Sequence, residues 1–305
     1  MQLASSTIAL TGATGFIGRY LAHALLERGA TVVGAVRSPD KVPSLVEAGV
    51  EMRRADLGDV DSLTRAFEGC DAVIANAGVV SLGRKGREEL MQANAQGTRN
   101  VFRAIERAGI SRAVMTSSVS VYRRHRGAYQ ETDALIAETD SVPRPLYYAQ
   151  SKAVAEREAW RAAESGGIAL TVARPGGVYG AFDGTGFTLW LRRLLSVPLV
   201  TVFPTHMRIP NVYGADLARA MVRMLERPQS VGRAYNLTGD NDITFWQMLE
   251  AYRDAGGAVP SLVIPFPLPV RFAYSNERAV EDLGFVNRPP LDAFRHMLEL
   301  EAAPS

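Results

Sequence analysis

The chain has 305 residues, of which 47% are hydrophobic and 22% charged, and its formal net charge is +2. This length is long for one domain and short for three, and the small charge without a basic block argues against nucleic acid as a partner. No run approaches the ~20 apolar residues that span a bilayer, so we expect no membrane association. A single cysteine, Cys70, excludes an internal disulfide. With no leader pattern before the first strand, we expect a protein of the reducing cytoplasm.

The first predicted element is a β-strand at residues 7–10, a short apolar and partly β-branched run. Gly12, Gly15 and Gly18 follow it, and a helical pattern then runs to Gly29. Glycines at such a junction let the chain turn tightly and let backbone amides approach a pyrophosphate at the positive end of the helix. Alone, the three glycines would indicate only a tight turn. Their place between the first strand and the first helix predicts dinucleotide binding.

The second strand is predicted at residues 31–36, and the residue that follows it bears on the choice of cofactor. Enzymes that prefer NAD carry an acid there to hold the ribose 2′-hydroxyl, whereas this chain carries Arg37. A guanidinium can pair with a 2′-phosphate and stack on adenine. The alternative is an arginine that is merely exposed at a strand end. We therefore predict NADP, with NAD as the other possibility.

Further strand patterns alternate with helical stretches through the first two-thirds of the chain. Such alternation predicts right-handed crossovers and an α/β fold with a doubly wound parallel sheet. After Gly180, glycines, aromatics and prolines cluster and the predicted strands become isolated, and four prolines between 259 and 269 argue against a helix there. The further strands are predicted at 50–53, 72–75, 112–116 and 168–173.

The fifth predicted strand ends in three hydroxyl residues, Thr116, Ser117 and Ser118. In open parallel sheets, ligands bind at the carboxyl ends of the strands. A hydroxyl at this place can hydrogen-bond a substrate carbonyl. The alternative is that the serines only cap the strand end.

Tyr148 and Lys152 are four residues apart in a helical pattern, which places both side chains on one face, one turn apart. A phenol ionises near pH ~10, and a neighbouring ammonium group is expected to lower its pKa toward the working range of an acid–base catalyst. This spacing often arises by chance on exposed helices. Its position after the glycine turn and the hydroxyl-rich strand end makes it a candidate catalytic pair.

In this order, the motifs resemble the extended short-chain dehydrogenase/reductase family, within the epimerase/dehydratase superfamily, along nearly the whole chain. The segment 36–39 is similar to its dihydroflavonol-reductase and 3β-hydroxysteroid-dehydrogenase members. The resemblance implies a Rossmann domain at 1–177 plus about 209–237. It also implies a smaller, discontinuous substrate-binding region at about 178–208 and 238–305. Other matching segments are 55–57, 69–74, 76–78, 94–101, 174–180, 212–218 and 282–285.

The resemblance also implies roles for single residues. Tyr148 would be the general acid in reduction or the base in oxidation, and Lys152 would lower its pKa and bind the nicotinamide ribose. Ser118 would orient the reacting oxygen, with Thr116 and Ser117 lining the cofactor. Asn94 could support the lysine through water or make a purely structural hydrogen bond. The expected cofactor contacts are Gly12, Thr14, Gly15, Phe16, Ile17, Arg37, Asp56, Leu57, Asn76, Ala77, Gly78, Asn94, Thr116, Tyr148, Lys152, Pro175 and Val178.

The substrate is inferred from departures from the family pattern. Relatives that act on nucleotide sugars commonly carry Asn where this chain has Gly177, and Arg where it has Ile209. Several aromatic residues near Gly177 in the sequence suit an apolar substrate, and the alternative is that they belong to the hydrophobic core. They are Phe182, Phe187, Trp190 and Trp246.

We therefore expect an NADP-dependent oxidoreductase that transfers a hydride between nicotinamide and a carbonyl or secondary alcohol of a small molecule. One alternative is a nucleotide-sugar 4-epimerase or dehydratase with tightly bound NAD, and a second is a non-catalytic NADP-binding sensor. The four histidines lack metal-ligand spacing, so we expect no metal site. Family members often dimerise through two helices, so we also expect a homodimer, through about 88–108 and 147–165.

Overall fold

Eleven strands run through the part of the chain that the computed structural model describes, residues 1–81, 85–184, 186–195 and 200–302. The predicted strands of the first two-thirds are confirmed to within one or two residues at each end. The bounds are β1 Thr7–Thr11, β2 Thr31–Val36, β3 Glu51–Arg54, β4 Ala72–Ala75, β5 Arg112–Thr116, β6 Ala169–Pro175, β7 Gly177–Tyr179, β8 Val200–Pro204, β9 Asn211–Tyr213, β10 Ala234–Leu237 and β11 Leu262–Phe266.

Helices connect most of these strands. The π-helical segment Met91–Gln96 joins α4 to α5, so that the chain is helical from 87 to 107 without a break. The helices are α1 Phe16–Leu26, α2 Pro43–Glu47, α3 Val60–Phe67, α4 Arg87–Leu90, α5 Gly97–Arg107, α6 Tyr147–Gly166, α7 Phe187–Leu195, α8 Gly214–Glu226, α9 Phe245–Asp254, α10 Glu277–Leu283 and α11 Pro290–Ala302.

Seven strands form one all-parallel sheet in the order β10-β6-β5-β4-β1-β2-β3. Its central strands are apolar on both faces because helices cover both sides. In β1, Ile8 and Leu10 face one core, beside α1 and α8, whereas Ala9 faces a second core, beside α3, α5 and α6. This is the doubly wound Rossmann architecture that the alternating pattern predicts.

The order of the strands reverses between β1 and β4. The chain proceeds from β1 outward to β2 and β3, and then returns to β4 on the other side of β1. In open parallel sheets, ligands bind in the crevice beyond the carboxyl ends of the strands at such a switch point. The glycine turn after β1 and the residues after β4 and β5 all lie at this edge.

The remaining strands form two small parallel pairs, β7 with β9 and β8 with β11. β10 joins the main sheet beside β6, as the return of the chain near 209–237 suggests. The β7–β9 pair crosses the predicted boundary between the two regions, and the boundaries themselves stay a prediction. Residues 259–269 contain no helix, as the prolines predict, and form β11 instead.

Among the described residues, no helix combines the length and the apolarity that crossing a bilayer requires.

Candidate active site

The turn between β1 and α1 is built so closely that glycine is required. Gly12 adopts a left-handed φ of 71°, and a Cβ atom there would lie 3.0 Å from Cα of Ala77. A Cβ atom on Gly18 would lie 2.0 Å from the carbonyl oxygen of Gly12. Gly15 caps the helix without a side chain, and the first turn of α1 contains no acid. The turn therefore offers the uncovered, positive helix end at which a diphosphate binds.

The turn after β4 is tied to the glycine turn. The Thr11 hydroxyl accepts hydrogen bonds from the backbone amides of Asn76 and Ala77, both at 3.0 Å. The Asn76 side chain in turn accepts a hydrogen bond from the Thr116 hydroxyl at 3.0 Å. These bonds connect the carboxyl ends of β1, β4 and β5. Three of the segments predicted to contact the cofactor therefore meet at one edge of the sheet.

Asn94, in the π-helical segment Met91–Gln96, is buried near this edge of the sheet. Its side-chain oxygen accepts from the amide of Val79 at 2.8 Å, and its amide group donates to the Ser151 hydroxyl at 3.0 Å. A Cβ atom on Gly78 would lie 3.2 Å from Asn94 and 3.8 Å from Nζ of Lys152. The sequence leaves two roles open for Asn94: support of Lys152 through water, or a purely structural hydrogen bond. Structural hydrogen bonds of the second kind are present.

The edge of the sheet beyond β2 and β3 carries exposed charges. Arg37, directly after β2, is exposed, and none of the described carboxylates forms an ion pair with it. Asp56, after β3, is also exposed, and its carboxylate accepts from the amide of Gly58 at 2.7 Å. Both side chains are accessible at the carboxyl edge, where the sequence predicts them to meet the cofactor.

Three successive residues at the end of β5 contact three residues of α6 that are spaced one helical turn apart. The carbonyl oxygen of Thr116 accepts a 2.6 Å hydrogen bond from Nζ of Lys152. The Ser117 hydroxyl donates to Glu156 at 2.6 Å. The Ser118 hydroxyl, which hydrogen-bonds to that of Ser120 at 2.9 Å, lies close enough to Tyr148 to act on the pKa of its phenol. The structure therefore assembles Ser118, Tyr148 and Lys152, which are far apart in the chain, at the carboxyl end of β5.

Burial controls the protonation of the two central groups. It raises the pKa of Tyr148 to about 12, and the Ser118 side chain only partly opposes this. It also lowers the pKa of Lys152 to about 8, while the negative charge of Glu156 acts in the opposite direction. The expectation that the lysine lowers the pKa of the phenol is therefore wrong for this structure. Desolvation raises this pKa, and the ammonium group of Lys152 bonds to the carbonyl oxygen of Thr116.

Sequence reasoning missed a buried charged network behind this trio. Glu156, with none of its surface exposed, accepts from Nε of Arg174 with both carboxylate oxygens, each at 3.1 Å. Arg174 Nη1 donates to the Tyr122 hydroxyl at 2.8 Å, and its guanidinium lies 5.0 Å from the Tyr122 ring centroid. The available signal was the spacing of four between Lys152 and Glu156. Ser117, expected to line the cofactor, is instead buried with its hydroxyl on Glu156.

The departures from the family pattern near β7 have a structural explanation. A Cβ atom on Gly177 would lie only 2.4 Å from the side-chain oxygen of Asn211. The amide group of Asn211 thus occupies the space that a side chain at 177 would need. Pro175 and Val178, predicted cofactor contacts, flank this place in β6 and β7.

The predicted substrate-facing aromatics have different environments. Phe182 is 40% exposed and adopts a left-handed φ of 70°, which is unusual for a side chain of this size. Trp246 is half-buried and packs beside Phe203, with its indole nitrogen donating to Glu250 at 2.9 Å. The side chains of Phe187 and Trp190 lie outside the described part of the structure. Trp246 therefore packs against the core, whereas Phe182 is exposed and contacts Arg19 and Tyr20 of α1.

Comparison with known proteins finds a matching family and several similar proteins. A sequence model of the NAD dependent epimerase/dehydratase family matches residues 8–238. The chain is 34% identical over 243 residues to tetraketide alpha-pyrone reductase 2 of Arabidopsis thaliana, covering 73% of this chain and 75% of the relative. It is 29% identical over 310 residues to dihydroflavonol 4-reductase of Zea mays, covering 92% and 84%.

A solved structure shares the fold over almost the whole chain. The yeast methylglyoxal/isovaleraldehyde reductase complexed with NADPH superposes with a TM-score of 0.80 at 19% identity. The match covers 97% of this chain and 99% of that one.

Proposed function

The chain belongs to the NAD dependent epimerase/dehydratase family, and from that premise we propose that it is an NADP-dependent reductase of a ketone or aldehyde. The observation that carries the proposal is the assembly of Ser118, Tyr148 and Lys152 at the carboxyl end of β5. This assembly lies beside the switch point between β1 and β4. It combines a proton donor, a hydrogen-bond donor and a cation beside the expected dinucleotide site.

The residues of the glycine turn fit the dinucleotide. Gly12 and Gly18 allow the turn and α1 to pack closely, because a Cβ atom on either would collide with neighbouring backbone. Gly15, exposed at the N-terminus of α1, leaves its backbone open to the approach of a diphosphate. The backbone after β1 would hold the diphosphate, Asp56 and Leu57 would contact the adenine, and Lys152 would bind the nicotinamide ribose. Pro175 and Val178 would flank the nicotinamide.

The proposed reaction divides the work between the cofactor and the side chains. When bound, the nicotinamide supplies the hydride to the carbonyl carbon. Tyr148 gives its hydroxyl proton to the carbonyl oxygen, which Ser118 orients by a hydrogen bond. The raised pKa of Tyr148, about 12, keeps the phenol protonated at neutral pH, as a general acid requires. Lys152, whose ammonium group donates to the carbonyl oxygen of Thr116 and not to the phenol, would bind the nicotinamide ribose.

Arg37 supports NADP as the cofactor. The guanidinium is exposed directly after β2, where a carboxylate would repel a 2′-phosphate. We propose that Arg37 pairs with the 2′-phosphate.

An apolar carbonyl compound is the proposed substrate class. The two curated relatives are named as reductases of a tetraketide alpha-pyrone and of dihydroflavonol. Relatives that act on nucleotide sugars carry polar Asn and Arg at two positions where this chain has the apolar residues Gly177 and Ile209. Phe182 adds an exposed aromatic ring.

The test is the oxidation of NADPH, followed at 340 nm, against a panel of aromatic and aliphatic ketones and aldehydes. Tyr148→Phe removes the proton donor, and we expect turnover to fall by about a thousandfold or more while the Kd for NADPH changes less than about twofold. Tyr147→Phe, one residue away on the same helix, is the matched control and should retain turnover. Substantial turnover in Tyr148→Phe would exclude the proposed role.

A nucleotide-sugar epimerase or dehydratase is the second candidate. Two observations favour it: the family includes both activities, and the amide of Asn211 occupies the place beside Gly177. This function predicts protein purified with tightly held NAD. Thermal shifts with NAD, NADP and a panel of UDP and GDP sugars separate the two candidates, because a ligand that binds the folded state raises Tm.

A non-catalytic NADP-binding sensor is the third candidate, and the retained trio of Ser118, Tyr148 and Lys152 argues against it.

We also propose that the protein forms a homodimer through the helical stretch 87–107 and α6. Light scattering would test this oligomeric state.

A further inference from the structure

Arg19 is a cation placed at the positive end of a helix. It is the fourth residue of α1, and no acidic residue lies in the first turn of that helix. Helix dipoles favour anions at this end and disfavour cations. Side chains in a helix lean toward its N-terminus, which brings the Arg19 side chain, in the first turn of α1, within reach of the glycine turn. Its position is unfavourable unless an anion is bound beside it.

The surroundings of Arg19 make its position still less favourable. The side chain is half-buried, and its Nε atom is buried without a hydrogen-bond partner. Among the described carboxylates, none lies within ion-pair distance of it. Burial without a counter-charge lowers the pKa of Arg19. Buried N–H donors in native proteins nearly always have an acceptor.

The contact that holds the side chain is an aromatic one. The guanidinium carbon lies 4.8 Å from the ring centroid of Phe182, the residue with a left-handed φ. The adjoining backbone is attached to the same helix, because the amide of Ala181 donates to the Tyr20 hydroxyl at 2.8 Å. Arg19 therefore stands between the glycine turn and the segment after β7. The Phe182 ring orients its guanidinium on one side, and its Nε atom has no hydrogen-bond partner.

We propose that Arg19 binds the diphosphate of the dinucleotide cofactor, and this rests on the proposed function. One diphosphate at the N-terminus of α1 would provide the acceptor for Nε and the counter-charge for the guanidinium. It would also turn the position of Arg19 at the helix end from a disadvantage into an advantage. The ring of Phe182 would hold the guanidinium in place before the cofactor arrives. A nucleotide sugar carries the same diphosphate chemistry, so the test includes both ligands.

The test compares Arg19→Met, which keeps the length of the side chain and its contact with Phe182, with Arg19→Lys and the wild type. We measure the Kd of NADPH and of ADP-ribose by fluorescence and calorimetry, the Kd of 2′-AMP, which lacks the diphosphate, and that of UDP-glucose. We expect Arg19→Met to weaken NADPH and ADP-ribose by about ten- to a hundredfold, with 2′-AMP unchanged. Arg19→Lys should lie between. Arg28→Ala, at the far end of α1 and paired with Glu226, is the control.

The stability of the protein without added ligand separates ligand binding from a structural role. If Arg19 serves the diphosphate, Arg19→Met removes an uncompensated cation, and its Tm is equal to or above that of the wild type. A lower Tm together with unchanged Kd values would overturn the inference and indicate a structural role. A loss confined to UDP-glucose, or an equal loss for 2′-AMP, would overturn it as well. Failure of the wild type to bind NADPH, NADH or ADP-ribose would instead overturn the proposed function and the inference together.

Discussion

The Ser117 hydroxyl donates a 2.6 Å hydrogen bond to Oε2 of Glu156, and both side chains are buried. This bond connects the end of β5 to the middle of α6, one turn beyond Lys152. Glu156 is also the ion-pair partner of Arg174 in β6. The trio of Ser118, Tyr148 and Lys152 is therefore supported by a buried charge pair.

Glu156→Gln is expected to destabilise the protein by about 3–5 kcal/mol, because it leaves the charge of Arg174 buried without a counter-charge. Urea unfolding followed by circular dichroism measures this loss. Glu158→Gln on the same helix is the matched control, since Glu158 pairs with Arg99 at the surface and its loss should cost less than about 1 kcal/mol. Equal effects of the two variants would show that the buried pair contributes no more than a surface pair.

The stability should depend on pH through Lys152. Burial lowers its pKa to about 8 from 10.5. Between these values the unfolded chain binds more protons than the folded protein, so stability rises with pH across the window and is lost as pH falls through 8. We compare the free energy of unfolding of the wild type with that of Lys152→Met. The difference between them should change by about 3 kcal/mol in favour of the wild type as the pH rises from 7 to 10.5. Tyr148 is present in both proteins, so its titration cancels.

Urea titrations at pH 7, 8, 9, 10 and 10.5 measure this difference, with the exposed Lys41→Met as the control. Parallel pH dependences of the wild type and Lys152→Met would mean that the buried amine does not titrate in this range.

Gly18→Ala is expected to abolish dinucleotide binding, raising the Kd of NADPH by about a hundredfold or more. The added Cβ atom would lie 2.0 Å from the carbonyl oxygen of Gly12 and 2.8 Å from Cα of Ala13, so the backbone of the turn must move. Gly86→Ala is the control, because nothing lies within 4 Å of its Cβ position, and it should bind NADPH normally. NADPH fluorescence titration decides between the two outcomes.

Arg37→Asp is expected to exchange the cofactor preference. The carboxylate would repel the 2′-phosphate and can instead accept from the ribose 2′-hydroxyl. The Kd of NADPH should rise by about tenfold or more while that of NADH falls. Arg124→Asp makes the same change of charge on an exposed loop and should leave the ratio of the two constants unaltered. If Arg37→Asp leaves the ratio unaltered too, Arg37 does not bind the 2′-phosphate.

Much of the fold could be predicted because its signals are local. Strands β1, β2, β4 and β5 are short apolar runs bounded by turn residues, and the structure has them where the pattern predicts them. The glycine turn is equally local, since Gly12 and Gly18 approach residues within six positions or at the neighbouring strand end. The spacing of Tyr148 and Lys152 needs only a helix to bring the two side chains to one face.

The sequence by itself therefore determined the parallel sheet, the glycine turn and the helix face that carries Tyr148 and Lys152. The tertiary structure decided what those residues touch. Lys152 bonds to the carbonyl of Thr116, 36 residues away, and Glu156 meets Arg174 rather than solvent. The direction of each pKa shift also depends on burial, which no local spacing encodes. Periodicity fixes the face of an element, whereas charge pairing and desolvation depend on which elements pack against that face.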